Sequence, residues 1–218
     1  MIFLKYFLIY LDAISPLIAI IIFLVCKKVL KEKSVFYIFC YISIQLLCNG
    51  TADILYYISK TYNLSLNSHL LFHLNCIFSL YFILKFFGEV NQLKYRSHVF
   101  FLFAVFYLLY IMIKTSPFEF NSLGFSLASL IIIIYSFNYY FLLVRTPDEI
   151  NIFYTSGFWF TTGIFTYYVC SFIIFITYEY LSKKGVAVGY LWRFHNILVA
   201  ILCFNLSKGV LCKRRGMT

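Results

Sequence analysis

Long apolar stretches separated by short polar or basic links recur along the whole chain. Seven are long enough to cross a bilayer, which takes about 17–25 residues per helix. They lie near 4–26, 35–58, 69–87, 98–114, 122–144, 154–178 and 189–211. The fourth is the shortest, and the seventh is interrupted by Arg193 and His195. This pattern predicts an all-α, polytopic membrane helix bundle of seven spans. The links are short, so residues 1–218 read as one transmembrane domain with no soluble unit attached. The first stretch reads as a retained span rather than a cleaved leader. Asp12 and Pro16 interrupt its apolar run, no small-x-small site precedes Cys26, and lysines follow it.

Composition agrees. The chain is 63% hydrophobic and 12% charged, against about 45–50% and about 25% for soluble domains. So little charge cannot cover a surface facing water, and lipid is the expected solvent. The aromatic content of 22% carries no functional weight by itself.

A net charge of +10 would suit nucleic acid if the basic residues shared one face. They sit instead in clusters between spans, so no nucleic acid partner is expected. Lys27, Lys28, Lys31, Lys33, Lys85, Lys94, Arg96, Arg145, Lys208, Lys213, Arg214 and Arg215 fall on one side of the membrane. Only Lys5, Lys60, Lys114, Lys183, Lys184 and Arg193 fall on the other. Lys and Arg resist translocation, so the richer side is expected in the cytoplasm, giving N-out and C-in.

The seven cysteines lie in or at the edge of apolar segments and read as small buried hydrophobes rather than a disulfide framework. Cys26 and Cys212, beside lysines at the cytoplasmic edge, are candidate acylation sites. Asn63-Leu-Ser matches a glycosylation acceptor. Tyr56-Tyr57, Tyr139-Tyr140 and Trp159 read as interface anchors. Gly157, Gly163 and Thr161-Thr162 read as close-packing positions in span six.

Ionisable residues at membrane depth are costly and therefore informative. Asp12, Asp53, His73, Arg193 and His195 lie on four spans, and all fall within roughly 5–15 Å of the outer boundary at about 1.5 Å per residue. Asn75 and Asn196 share that depth. On span two, Tyr41, Gln45, Asn49 and Asp53 recur every four residues and form one stripe. Such a stripe should face the bundle interior, since lipid offers no hydrogen-bond partners.

Two accounts fit these positions. In one, Asp12 or Asp53 pairs with Arg193, and the amides join helices. In the other, Asp12, Asp53, His73, Asn75, Arg193, His195 and Asn196 line an outward-open pocket for a small polar ligand, as contacts and not as catalysts. A metal held by Asp53, His73 and His195 is a sharper variant. His69 and His73 form H-x-x-x-H, but H-E-x-x-H, G-x-S-x-G and P-loop motifs are absent, and no cofactor is assigned.

Span six reads Gly157-Phe-Trp-Phe-Thr-Thr-Gly163-Ile, and span seven reads Leu191-Trp-Arg-Phe-His195-Asn196-Ile-Leu, ending Gly209-Val-Leu-Cys212-Lys. These stretches resemble small bacterial seven-transmembrane proteins that look like the membrane sensing regions of histidine-kinase signalling systems. The resemblance covers about a quarter of the chain, and it departs from the pattern at Arg193 and Ala200. It implies a bacterial cytoplasmic membrane location, a histidine kinase or other membrane signalling protein as partner, and His195 and Asn196 as the polar signature. The expected function is a sensing or signalling module acting through that partner. A small transporter or channel, a metal-dependent intramembrane hydrolase and a structural membrane subunit remain alternatives.

Overall fold

The computed structural model describes residues 8–63, 67–91, 101–102, 105–106, 110, 120–145, 152–186 and 188–215. Among them lie six α-helices and no strand. The helices are α1 (Leu11–Val25), α2 (Lys33–Tyr62), α3 (His69–Val90), α4 (Ser122–Arg145), α5 (Ser156–Lys183) and α6 (Gly189–Arg215). Helices α2 to α6 are each long and apolar enough to cross a membrane. The expected spans 35–58, 69–87, 122–144, 154–178 and 189–211 fall on these five helices in order. The expected span 98–114 lies mostly outside the described residues. Of its few described residues, Phe101 packs on Tyr81 of α3 with ring centroids 5.0 Å apart.

Helix ends follow local chemistry. The Asn121 side chain accepts from the Gly124 N–H at 2.8 Å and so caps the start of α4. Asn63 ends α2 in the left-handed region, with φ 53°. Past the end of α5, Gly185 has φ 71° and Val186 N–H bonds back to Leu181 O, the pattern of a glycine-terminated helix.

The first span departs from the expected unbroken 4–26. Leu8 and Ile9 are helical, the chain bends at Tyr10, and α1 restarts at Leu11. Tyr10 O accepts from both Ala13 and Ile14, which opens a new first turn. Asp12 lies in that turn, where the helix dipole favours an acid. At 15 residues, α1 alone covers about 22 Å, less than the ~30 Å hydrocarbon core.

The six helices close a ring, each packing on the next and α6 returning to α1. Sequence neighbours run antiparallel, with one exception. His73 meets Phe125 near the starts of α3 and α4, and Phe87 meets Tyr135 further along, so these two helices run parallel. Helices α1 and α6 are also parallel: Asn196 bonds Leu8 and Ile9 at one end, and Arg214 reaches Cys26 at the other.

The ring is apolar outside and holds a set of polar groups among its buried apolar side chains. Leu17, Leu47, Ile54, Ile134, Ile173 and Phe204 are among many large apolar side chains left exposed around it, while Gln45, Asn49, Asn75, Ser79 and Asn205 are buried. In water the exterior would be an apolar patch far beyond what a soluble monomer shows. The chain is thus a multi-pass membrane protein built as a helix bundle. Many of its hydroxyls bond their own helix four residues back, such as Ser43 to Phe39 O and Ser129 to Phe125 O, and so need no partner across the bundle.

Candidate functional site

Where α1, α3, α4 and α6 begin and α2 and α5 end, the ring encloses a cavity of about 540 Å³. That volume is in the range of small-molecule sites, about 300–1,000 Å³. Each lining helix contributes one face. From α2 come Gln45, Asn49, Asp53 and Tyr56, and from α3 come His69, Phe72, Asn75, Cys76 and Ser79. Such i, i+3, i+4 spacings turn a single stripe inward. Exposed Tyr56 and Gly189 lie at the helix ends, where the cavity meets the surface.

Of the seven positions expected from sequence, Asp12, Asp53, Asn75, Arg193, His195 and Asn196 line this cavity. His73 does not. It is 5% exposed and packs toward the Phe125 ring, centroids 6.5 Å apart. On α3 it falls just outside the stripe set by His69, Phe72 and Cys76, so a shared depth did not bring it to the shared space.

The deep polar groups satisfy one another. Gln45 Nε2 donates to Ser79 Oγ at 3.2 Å, Ser79 Oγ donates to Asn75 Oδ1 at 3.1 Å, and Asn75 Nδ2 donates back to Gln45 Oε1 at 3.1 Å. This is a closed three-membered cycle between α2 and α3, and Asn49 adds a bond to Gln45 Oε1 at 3.4 Å. Closed cycles polarise each member in the same sense. The expected stripe therefore faces the interior, with Gln45, Asn49 and Asp53 on the cavity wall. Tyr41, its fourth member, is fully buried below them beside Tyr167 and Tyr168.

His195 sits between Tyr167 Oη at 3.3 Å from Nε2 and Ser171 Oγ at 3.4 Å from Nδ1. The rings of Tyr167, Phe175 and Trp192 surround it at 5.4–5.6 Å. Asn196 Nδ2 donates to Leu8 O and Ile9 O at 3.1 and 2.8 Å, the carbonyls just before the bend at Tyr10.

The carboxyl groups differ. Asp12 Oδ1 and Asp53 Oδ2 are buried with no hydrogen-bond partner among the described residues. The expected pairing of Arg193 with either acid is not found there. Its guanidinium lies over the Tyr190 ring, 4.6 Å from the centroid, while pairs such as Lys183–Glu179 and Lys213–Glu32 form elsewhere.

No protein family, curated protein or solved structure matches this chain.

The geometry must therefore speak for itself. Among the described residues, no three His, Cys, Asp or Glu side chains converge as metal ligands, so Asp53, His73 and His195 do not form the triad considered from sequence. All seven cysteines are free thiols. Cys26 and Cys212 are buried, one beside Arg214 and the other beside Phe153 O, which argues against acylation of either sulfur.

Sequence reasoning missed the aromatic wall: Phe72, Phe120, Phe125, Phe175, Tyr178 and Trp192. Aromatic abundance throughout the chain hid it. A usable signal was the Tyr167-Tyr168 pair, which falls in mid-span where interface anchoring cannot explain two phenols. Beneath the cavity, fully buried Ile38, Leu84, Phe86, Phe160, Leu202 and Leu206 fill the ring.

Proposed function

We propose that this protein is a seven-span sensing module of a bacterial cytoplasmic membrane, N-out and C-in, whose outward cavity binds a small ligand. It passes the occupied state to a membrane signalling partner such as a histidine kinase. The observation that carries this reading is the cavity itself, with six of the seven costly polar positions on its wall. Ionisable groups at membrane depth mark functional sites by default.

Three further features support it. Helices α3 and α4 run parallel with both starts at the cavity end, an arrangement that favours a seventh crossing. The cavity end carries few basic residues, whereas Lys27, Lys28, Lys31, Lys213, Arg214 and Arg215 gather at the far end, the pattern of a cytoplasmic face. The apolar fill below the cavity favours a closed pocket over a conduit.

Native mass spectrometry of protein released gently from its own membrane tests the reading. The wild-type chain should carry an adduct of small-molecule mass that Asp53→Asn loses while keeping the same melting temperature. A bare chain in both, with Asp53→Asn merely less stable, would reduce the polar cluster to helix packing.

A further inference from the structure

We propose that the cavity takes a small organic cation, a protonated or quaternary amine on an apolar body, seated between Asp12 and Asp53 against the aromatic wall. This rests on reading the cavity as a ligand site and names the chemistry of what enters it.

Most polar groups along the wall are already engaged. Gln45, Asn75 and Ser79 close a hydrogen-bond cycle among themselves, with Asn49 attached. Tyr167 and Ser171 engage both ring nitrogens of His195. The Asn196 amide is held by the Leu8 and Ile9 carbonyls. Arg193 lies over Tyr190, which is itself exposed. Among the acceptors left on the wall are the carboxyl groups on α1 and α2, each with a buried oxygen lacking a donor. Native structures rarely leave buried acceptors so, and each such case asks for a partner. The complement of a carboxylate oxygen is a donor, and the strongest donors are positively charged.

Two features favour a cation over a neutral donor. Asp12 and Asp53 line one cavity, so a positive charge seated between them offsets the mutual repulsion of two carboxylates. The surrounding wall is also lined by packed aromatic rings. Trp192 stacks on Phe72 with centroids 6.2 Å apart and meets Phe120 edge-on at 5.5 Å, and Phe120 stacks on Phe125 at 5.0 Å. Ring faces attract cations and accept apolar bodies equally well. An anion would meet two carboxylates there, with the amides already engaged and the Arg193 guanidinium over Tyr190.

Trp192 supplies the reporter. The chain has two tryptophans, and Trp159 lies at the far end of the bundle with its Nε1 bonded to Phe153 O. In full-length Trp159→Phe protein in nanodiscs, Trp192 emission is followed during titration with ammonium ions from tetramethylammonium to 2-phenylethylammonium. Phenylacetate and 2-phenylethanol are titrated beside them. The expected result is a saturable change with at least one ammonium ion, at a concentration at least about tenfold below that for the acid and the alcohol. Asp53→Asn or Asp12→Asn, whichever retains the wild-type melting temperature, should weaken that binding about tenfold. Saturation by phenylacetate or 2-phenylethanol at equal or lower concentration overturns the cation while keeping a ligand cavity. Silence across all the probes overturns both.

Discussion

Asn196 shows how one residue can read as a ligand contact and act as a structural tie. Its amide nitrogen donates to Leu8 O and Ile9 O, the carbonyls at the bend before α1. Asn196→Leu keeps the bulk but removes the donor, so two buried acceptors lose their partner. The expected loss is about 1–3 kcal/mol of stability, measured by denaturant unfolding in micelles. Faster amide exchange at Ile9 to Asp12 should accompany it. Sequence alone could not separate this role from ligand binding, because an amide at membrane depth looks the same in either. The energetic cost of burying polar groups did make the set legible, and six of seven positions reached one cavity. His73 escaped because its side chain points just off the α3 stripe, and helix rotation is not written in hydropathy.

At the scale of the helices, α5 and α6 meet more closely than any side chain would allow at two positions. A Cβ on Gly209 would lie 2.6 Å from the Phe160 ring and 3.1 Å from Ser156 O, and one on Gly163 would lie 2.8 Å from Asn205 Cβ. Gly209→Val should push these helices apart at a cost of about 1–3 kcal/mol. Gly50→Ala, where no atom stands within 4 Å, should be neutral or stabilising by up to about 1 kcal/mol. A paired unfolding titration in micelles checks both, and equal losses would contradict the packing argument. Five helices were legible because each needs an apolar run long enough for lipid. The break at Tyr10 was not. The residue that looks like a breaker, Pro16, lies within α1, while the bend falls where the Asn196 amide waits to receive two carbonyls.

At the scale of the whole molecule, the proposed orientation rests on where the cations gather. Thr61→Cys, at the exposed end of α2, should react with a membrane-impermeant maleimide on intact cells. Lys28→Cys, beyond the other end of α1, should react only after permeabilisation. The opposite pattern would invert the protein and close the cavity to the outside. The ring arrangement itself was not legible, since no local pattern tells α1 to settle beside α6. That closure has a consequence for how the protein is made. Ile9 and Asn196, which join the two ends of the ring, are 187 residues apart. At about 5–20 residues per second, a ribosome takes roughly 10–40 s to pass from one to the other. During that interval Asp12 and Asp53 lack the helix that completes the cavity wall around them. Closure of the ring thus waits until α6 has been made.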